Sequence, residues 1–231
     1  MNLACDTCPV RDRAACAVLT DEERDALAKT GRTRVLKAGE TLFVAGDEDT
    51  VCATLLTGAL KVTSIDEEGN ELILALIHPA GFVGEMFRPF ADYDVVALTE
   101  SRLCVFPRSA MKSALDEFPA LTQALFRRAQ EDVHNTRQLL ELTSRGTSEG
   151  KVAALLLMLA HAASDSPCHP ASSFTLPLSR GEMGQMLGLT IETVSRRLTG
   201  LEKSGMIRKN GTRGIDLLDP ARLRFLVKAP V

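Results

Sequence analysis

At 231 residues, with 45% hydrophobic and 25% charged side chains, the chain exceeds one average domain and has the composition of a soluble globular protein. The longest apolar run, Val152 to Ala160, is too short to cross a bilayer. The opening Met-Asn-Leu-Ala-Cys-Asp lacks the basic and apolar stretches of a secretory signal, so a cytoplasmic protein without a membrane role is expected. A net charge of −3 argues against a nucleic-acid partner, but its distribution does not. From Thr175 to Gly214 seven basic residues face three acidic ones, which leaves an acidic body joined to a basic C-terminal module. No nucleophile–base pair, phosphate loop or paired-carboxylate motif supports an enzyme. The six cysteines, without a secretory signal, point to metal or redox chemistry rather than a disulfide framework.

In chain order, residues 1–18 form a leader carrying Cys5, Cys8 and Cys16, expected to be flexible. Thr20 and Glu23 form a capping box that starts a short helix. Residues 19–117 then read as a β domain of short segments: Arg34–Leu36, Thr41–Val44, Ala53–Thr57, Ala59–Ser64, Glu71–Ile77, Gly81–Val83, Val95–Ala97 and Leu103–Val105. Turn residues at 37–40, 45–48 and 67–70 separate them, and strands so spaced predict a jelly roll or similar barrel. A long helix follows over 118–143. Its Ala129, Val133, Thr136, Leu140 and Thr143 recur at spacings of four and three, a seam that either packs on its own domain or joins two copies. Because the helix links two modules, a homodimer is the preferred reading. Residues 144–231 form the last domain. Thr147 caps a helix over Ser148 to Ala163 with Val152, Leu155, Leu156 and Leu159 as core, and Asp165 to Ser173, containing Cys168, reads as a loop.

The sharpest local pattern runs from Leu178 to Leu198. Ser179 caps a first helix, and Glu182 three residues on completes a capping box. Gly188 permits a left-handed turn. Thr190 caps a second helix whose inner face is expected to be Ile191, Val194, Leu198 and Leu201, with Glu192, Ser195 and Arg196 presented outward near its start. A helix-turn-helix protein touches base edges there. Arg196 suits guanine O6 and N7, Glu192 suits cytosine N4, and Ser195 suits either. Thr190, Thr193, Arg197 and Lys203 suit the phosphates of double-stranded DNA. Met206–Lys209, the turn Asn210-Gly211 and Gly214–Leu217 read as a hairpin wing.

A β-rich domain, a long helix and a winged helix-turn-helix in this order resemble the CRP/FNR family over nearly the whole chain. The stretch Gly188-Leu189-Thr190-Ile191-Glu192-Thr193-Val194-Ser195-Arg196 resembles the recognition helix of the FNR branch. The implied fold class is α+β: a jelly-roll sensor domain like cyclic-nucleotide-binding domains, a dimerisation helix and a C-terminal winged helix-turn-helix. The resemblance further implies that Glu192, Ser195 and Arg196 read a TTGA-type half-site and that the dimer binds an inverted repeat. It places an RNA polymerase contact on the turn bearing Ile65, Asp66, Gly69 and Asn70. Gly46-Asp47 and Gly84-Glu85 sit where the sensor barrel carries similar pairs.

Three sensor ligands remain to weigh: a cyclic nucleotide, haem with its gases, and a metal cluster. A nucleotide cassette of this family follows Gly-Glu with an Arg-Ser pair, which here falls near Tyr93-Asp94, and Asp94 would repel a phosphate. No cyclic nucleotide is therefore expected. His78 is a lone candidate for haem. Cys5, Cys8 and Cys16 form C-x2-C-x7-C and lack a fourth ligand. Cys104, at the end of the barrel before the long helix, matches the place where FNR-like oxygen sensors supply theirs, and the leader resembles a variant found in that branch. Four thiolates satisfy either a [4Fe–4S] cluster or tetrahedral zinc. A single C-x2-C knuckle, together with the resemblance, favours the cluster and oxygen sensing. A zinc-stabilised or thiol–disulfide regulator of the same fold is the alternative. Cys52, in an apolar strand, reads as a buried thiol. Glu131 and Asp132 near the seam are expected to repel across a cluster-free dimer.

Overall fold

The computed structural model describes residues 3, 5–48, 51–164 and 169–228, with backbone alone at 142, 145 and 228. Cys168 lies outside the described residues. The chain divides into two compact units, Met1–His134 and Asn135–Val231.

In the first unit, two 3-10 turns in the leader, Cys5–Thr7 and Ala15–Val18, precede helix α1, Asp21–Ala28. The Thr20 hydroxyl accepts from the Glu23 amide while the Glu23 carboxylate accepts from the Thr20 amide, completing the expected capping box. Eight strands follow: β1 Arg32–Leu36, β2 Thr41–Phe43, β3 Val51–Thr57, β4 Leu60–Ile65, β5 Glu71–Ile77, β6 Phe82–Val83, β7 Asp94–Ala97 and β8 Ser101–Pro107. They pair antiparallel in two four-stranded sheets, ordered β1-β8-β3-β6 and β2-β7-β4-β5, which is the expected jelly roll. Leu36, Leu55, Leu60, Leu103 and Val105 fill the space between the sheets.

Helix α2, Arg108–Glu117, follows β8, and helix α3, Pro119–Arg145, follows α2. Helix α2 is not expected from the sequence, and its ten residues separate Cys104 on β8 from the long helix, so Cys104 does not stand directly before that helix. The division between units falls inside α3, not at either end as expected. Its first turns belong to the first unit because Leu121 and Leu125 join the core formed by Leu27, Phe106 and Met111.

In the second unit, helix α4, Ser148–Ala162, starts at the expected cap, with the Thr147 hydroxyl accepting from the Gly150 amide. Strand β9, Ser173–Thr175, and helix α5, Arg180–Leu187, come next. Helix α6, Ile191–Lys203, strands β10, Ile207–Asn210, and β11, Gly214–Leu217, and helix α7, Pro220–Lys228, complete the chain. The wing is a three-stranded sheet ordered β10-β11-β9. Ser173 therefore opens a strand rather than closing a loop. Helix α7 is also new: its Leu223 is fully buried, and its Leu226 carbonyl stands where a side chain at Gly150 of α4 would go. Among the described residues, no helix is long and apolar enough to cross a membrane.

Candidate nucleic-acid interface and thiol cavity

Helices α5 and α6 form the expected helix-turn-helix. Ser179 and Glu182 complete the capping box of α5, and the Thr190 hydroxyl accepts from the Thr193 amide to cap α6. Between them Gly188 lies at φ +63°, a left-handed conformation that costs other residues about 1 kcal/mol or more. A side chain at Gly184 would stand 2.5 Å from the Leu189 carbonyl oxygen, so only glycine lets the turn close this tightly on α5. Val194, Leu198 and Leu201 are buried as expected, but Ile191 is 49% exposed. It is the first residue of α6 and projects past the packed part of the helix, so it is not core.

Glu192 and Arg196 are exposed and Ser195 half-buried on the outward face of α6. The Arg196 guanidinium reaches back to the Thr193 hydroxyl at 3.3 Å, and Thr190 and Thr193 hydroxyls lie 3.1 Å apart. Thr190, Thr193, Ser195 and Arg196 thus form one polar end. Lys203 does not join them: thirteen residues of helix place it about 20 Å from Thr190. Arg197 is partly engaged within the protein, its Nε donating to Ser148 Oγ at 2.8 Å. Arg180, given no role from the sequence, does join the polar end, donating to Ser195 Oγ at 3.4 Å. Its signal was a cation directly after the Ser179 cap. The wing cations are partly neutralised, since Lys209 pairs with Glu202 at 2.7 Å and Arg208 with Asp216 at 2.8 Å. Hydrogen bonds from Lys209 hold the Glu202 carboxyl below its usual range, and those from Ser173 and then Arg208 do the same for Asp216.

In the first unit, strand alternation positions the cysteine site. Leu103 and Val105 point into the barrel, so Cys104 between them points out of it. That outer face is covered by the leader, whose Val10 and Ala14 are buried against Leu56 and Ala80, with Cys8, Cys16 and Cys104 packed around them. The leader is therefore not a flexible tail. An α-like turn, with the Ala14 amide donating to the Val10 carbonyl at 2.9 Å, puts both apolar side chains on one face. Cys5, Cys8, Cys16 and Cys104 all line a single cavity of about 200 Å³. Burial raises the thiols of Cys5 and Cys16, reinforced by the neighbouring cysteines. Cys104 is pushed up to about 12, by burial first and then by Cys8, Cys5 and Cys16. Among the described residues, no three His, Cys, Asp or Glu side chains converge closely enough to hold one metal ion. Four thiols around one cavity are a donor set of the kind that metal–thiolate groups use.

Cys52 is buried as expected, and burial drives its thiol to about 11. His78 follows β5, and burial drives its pKa down to about 4. In the β4–β5 turn Ile65 is exposed, and Asp66 accepts from the Asn70 amide at 2.7 Å and its side chain at 2.9 Å, while Gly69 donates its amide to the Asp66 carbonyl. Ile65, Asp66, Gly69 and Asn70 thus form one stiffened, projecting turn.

A jelly roll, a long helix and a winged helix-turn-helix define a DNA-binding transcription regulator. Residues 33–118 match the cyclic nucleotide-binding domain family, and residues 150–226 match the Crp-like helix-turn-helix domain family. The transcriptional activator protein FnrL of Cereibacter sphaeroides is 33% identical over 222 residues, covering 95% of this chain and 90% of that protein. The fumarate and nitrate reduction regulatory protein of Vibrio cholerae is 30% identical, covering 96% and 89%. The solved structure of FixK2 from Bradyrhizobium japonicum superposes with a TM-score of 0.79 at 24% identity, over 87% of this chain and 99% of that one. The chain belongs to the CRP/FNR family of transcription regulators.

Proposed function

We propose that this regulator is an oxygen-responsive homodimeric activator that holds a [4Fe–4S] cluster on Cys5, Cys8, Cys16 and Cys104 and binds an inverted repeat of TTGA-type half-sites. The observation that carries the reading is the placement of Cys104, which faces the same cavity as all three leader cysteines. Activation is the role stated in the names of the relatives FnrL and Anr. When bound, the cluster supplies an oxygen-labile cross-link between the leader and β8.

The chain's own residues connect that site to the long helix. Cys16 and Cys104 pack against the core that contains Leu121 and Leu125 of α3. Arg128 of α3 donates to the Arg13 carbonyl of the leader at 2.9 Å. Two residues before Arg128, Phe126 begins the exposed seam of α3. Order in the leader therefore bears on the helix that presents the seam, and the dimer interface is the two-state element that switching requires. At the DNA, Glu192, Ser195 and Arg196 read bases, with Arg180, Thr190, Thr193 and the terminal nitrogens of Arg197 directed to phosphates. The Ile65–Asn70 turn contacts RNA polymerase. A cyclic nucleotide is disfavoured because Arg88, the basic residue of the loop after Gly84-Glu85, is already held by Asp92 at 2.7 Å and Glu85 at 3.6 Å, and Asp94 accepts from the Ala45 amide at 2.7 Å.

Anaerobic purification tests the reading. Brown protein with about four irons per chain, lost in each of Cys5→Ser, Cys8→Ser, Cys16→Ser and Cys104→Ser and retained in Cys52→Ser, is the expected result. Colourless protein carrying one zinc would sink it.

A further inference from the structure

We infer that Arg24, Asp21 and Arg11 form a clamp that positions the Cys5 and Cys16 ligands and supplies the buried positive charge a metal–thiolate group needs in an apolar cavity. The inference rests on the thiolate-centre reading above. Arg24 is only 8% exposed, an unusual place for a guanidinium. Its Nε donates to the Cys16 carbonyl at 3.4 Å and its Nη2 to the Leu19 carbonyl at 2.8 Å. Arg11 donates to the Cys5 carbonyl at 3.2 Å. The two guanidiniums meet on one atom, Asp21 Oδ1, each at 2.7 Å. The clamp thus ties the backbone at Cys5 and at Cys16 to the first turn of α1.

Charge supplies the second half of the argument. Both arginines line the thiol cavity, while their carboxylate partners Asp21 and Asp6, 82% and 99% exposed, pair with them from outside that lining. The charged side chains that line the cavity are thus cations, Arg11, Arg24 and Arg102, and of these Arg24 is the buried one. Four thiolates around a divalent ion or a doubly charged iron–sulfur core carry a net charge of −2, and burial of that charge is costly unless a cation stands beside it. Arg24 is placed to be that cation. Asp21 orients both forks, and its own exposure makes it replaceable without opening the core.

Two measurements separate the parts. Hydrogen–deuterium exchange on anaerobic, metal-free protein reports the positioning. Arg24→Gln and Asp21→Asn should each speed exchange of the 5–19 amides at least tenfold and leave the β3 and β8 amides unchanged. Unaltered leader exchange in both variants overturns the clamp, and Asp21→Asn carries this arm if Arg24→Gln does not fold. Cobalt(II) titration, followed by thiolate-to-metal absorption, reports the charge. Binding should weaken at least tenfold in Arg24→Gln and recover in Arg24→Lys, which keeps the charge without the fork. Equal affinity in all three proteins overturns the charge role. A wild-type chain that bound no cobalt would count against the thiolate centre itself, while the exchange arm still decides the clamp.

Discussion

The Arg197 guanidinium, on the helix that faces DNA, donates from Nε to the Ser148 hydroxyl in the first turn of α4 at 2.8 Å. This bond fixes the side chain, and the phosphate contact proposed above falls to its terminal nitrogens. Arg197→Ala should therefore do two things at once. It should weaken specific and non-specific duplexes alike, lowering the salt slope by about one, and cost roughly 1 kcal/mol of stability in the second unit. Ser148→Ala should reproduce the stability loss with a much smaller effect on DNA. Titrations at several salt concentrations and urea melts of both variants measure the split. If Ser148→Ala weakened DNA as much as Arg197→Ala, the arginine would serve the fold alone.

Arg196, by contrast, leans only on the Thr193 hydroxyl at 3.3 Å and is exposed one turn into α6. Arg196→Ala should cost about 1–3 kcal/mol on a matched inverted repeat and relax preference at the contacted guanine. Equal losses on matched and mismatched duplexes would place its contact on the backbone instead.

The helix-turn-helix has a steric weak point at Gly184. A methyl group there would meet the Leu189 carbonyl oxygen at 2.5 Å, and backbone on both sides must move to admit it. Gly184→Ala should destabilise the second unit by about 1–3 kcal/mol, seen as a lower melting temperature. Gly181→Ala is the control, since its Cβ would meet only Ser179 Oγ at 3.9 Å and helix propensity favours alanine. A Gly184→Ala protein as stable as wild type would mean the turn can relax.

What the sequence made legible was whatever depends on neighbours in the chain. The Thr20, Thr147, Ser179 and Thr190 caps are local hydrogen bonds, so residue type at short spacing suffices to place them. The barrel strands were legible because turns punctuate them. Helix α2 was not, since it begins at Pro107 without a side-chain cap and buries only Met111 and Ala114. Helix α7 carried a usable start signal, Asp219-Pro220, with Asp219 accepting from the Arg222 amide at 3.0 Å, but among its apolar residues, which include Phe225 and Val227, no local pattern marks Leu223 as the buried one. At the thiol site the leader spacing was readable, whereas its meeting with Cys104 depends on strand order across the barrel. Arg24 escaped notice because a charge on a short acidic helix ordinarily faces water.

Burial of His78 sets a pH dependence. The imidazole takes a proton near 6.5 when unfolded but only near pH 4 when folded, so between these values the unfolded chain binds more protons. Stability from this group is full above about pH 6.5 and declines as pH falls toward 4. The difference of about 2.5 units limits the loss to roughly 3 kcal/mol, reached only below pH 4. Urea midpoints from pH 7 to pH 5 should fall less steeply in His78→Gln than in wild type. Parallel slopes would show that the histidine finds a partner or water when charged.

The seam of α3 offers the last test. Phe126, Val133 and Leu140 are 64%, 48% and 65% exposed, and they recur at intervals of seven along one helix. Ala129, Thr136 and Thr143 fall between them at alternating steps of three and four, which is a heptad pattern with large apolar side chains at every first position. Phe126 extends the seam by one position, three residues before Ala129, and supplies its largest side chain. A single helix face of this kind gains nothing from exposure to water, and a second copy would cover it symmetrically. Burying one such side chain contributes roughly 2 kcal/mol per copy, so Leu140→Ala and Phe126→Ala should each raise the dimer dissociation constant at least a hundredfold. Sedimentation over a range of concentrations measures this directly. The same variants should bind a single half-site as wild type does and lose their preference for the inverted repeat. Unchanged dimerisation in both variants would show that another surface joins the two copies and that this face of α3 packs within its own chain.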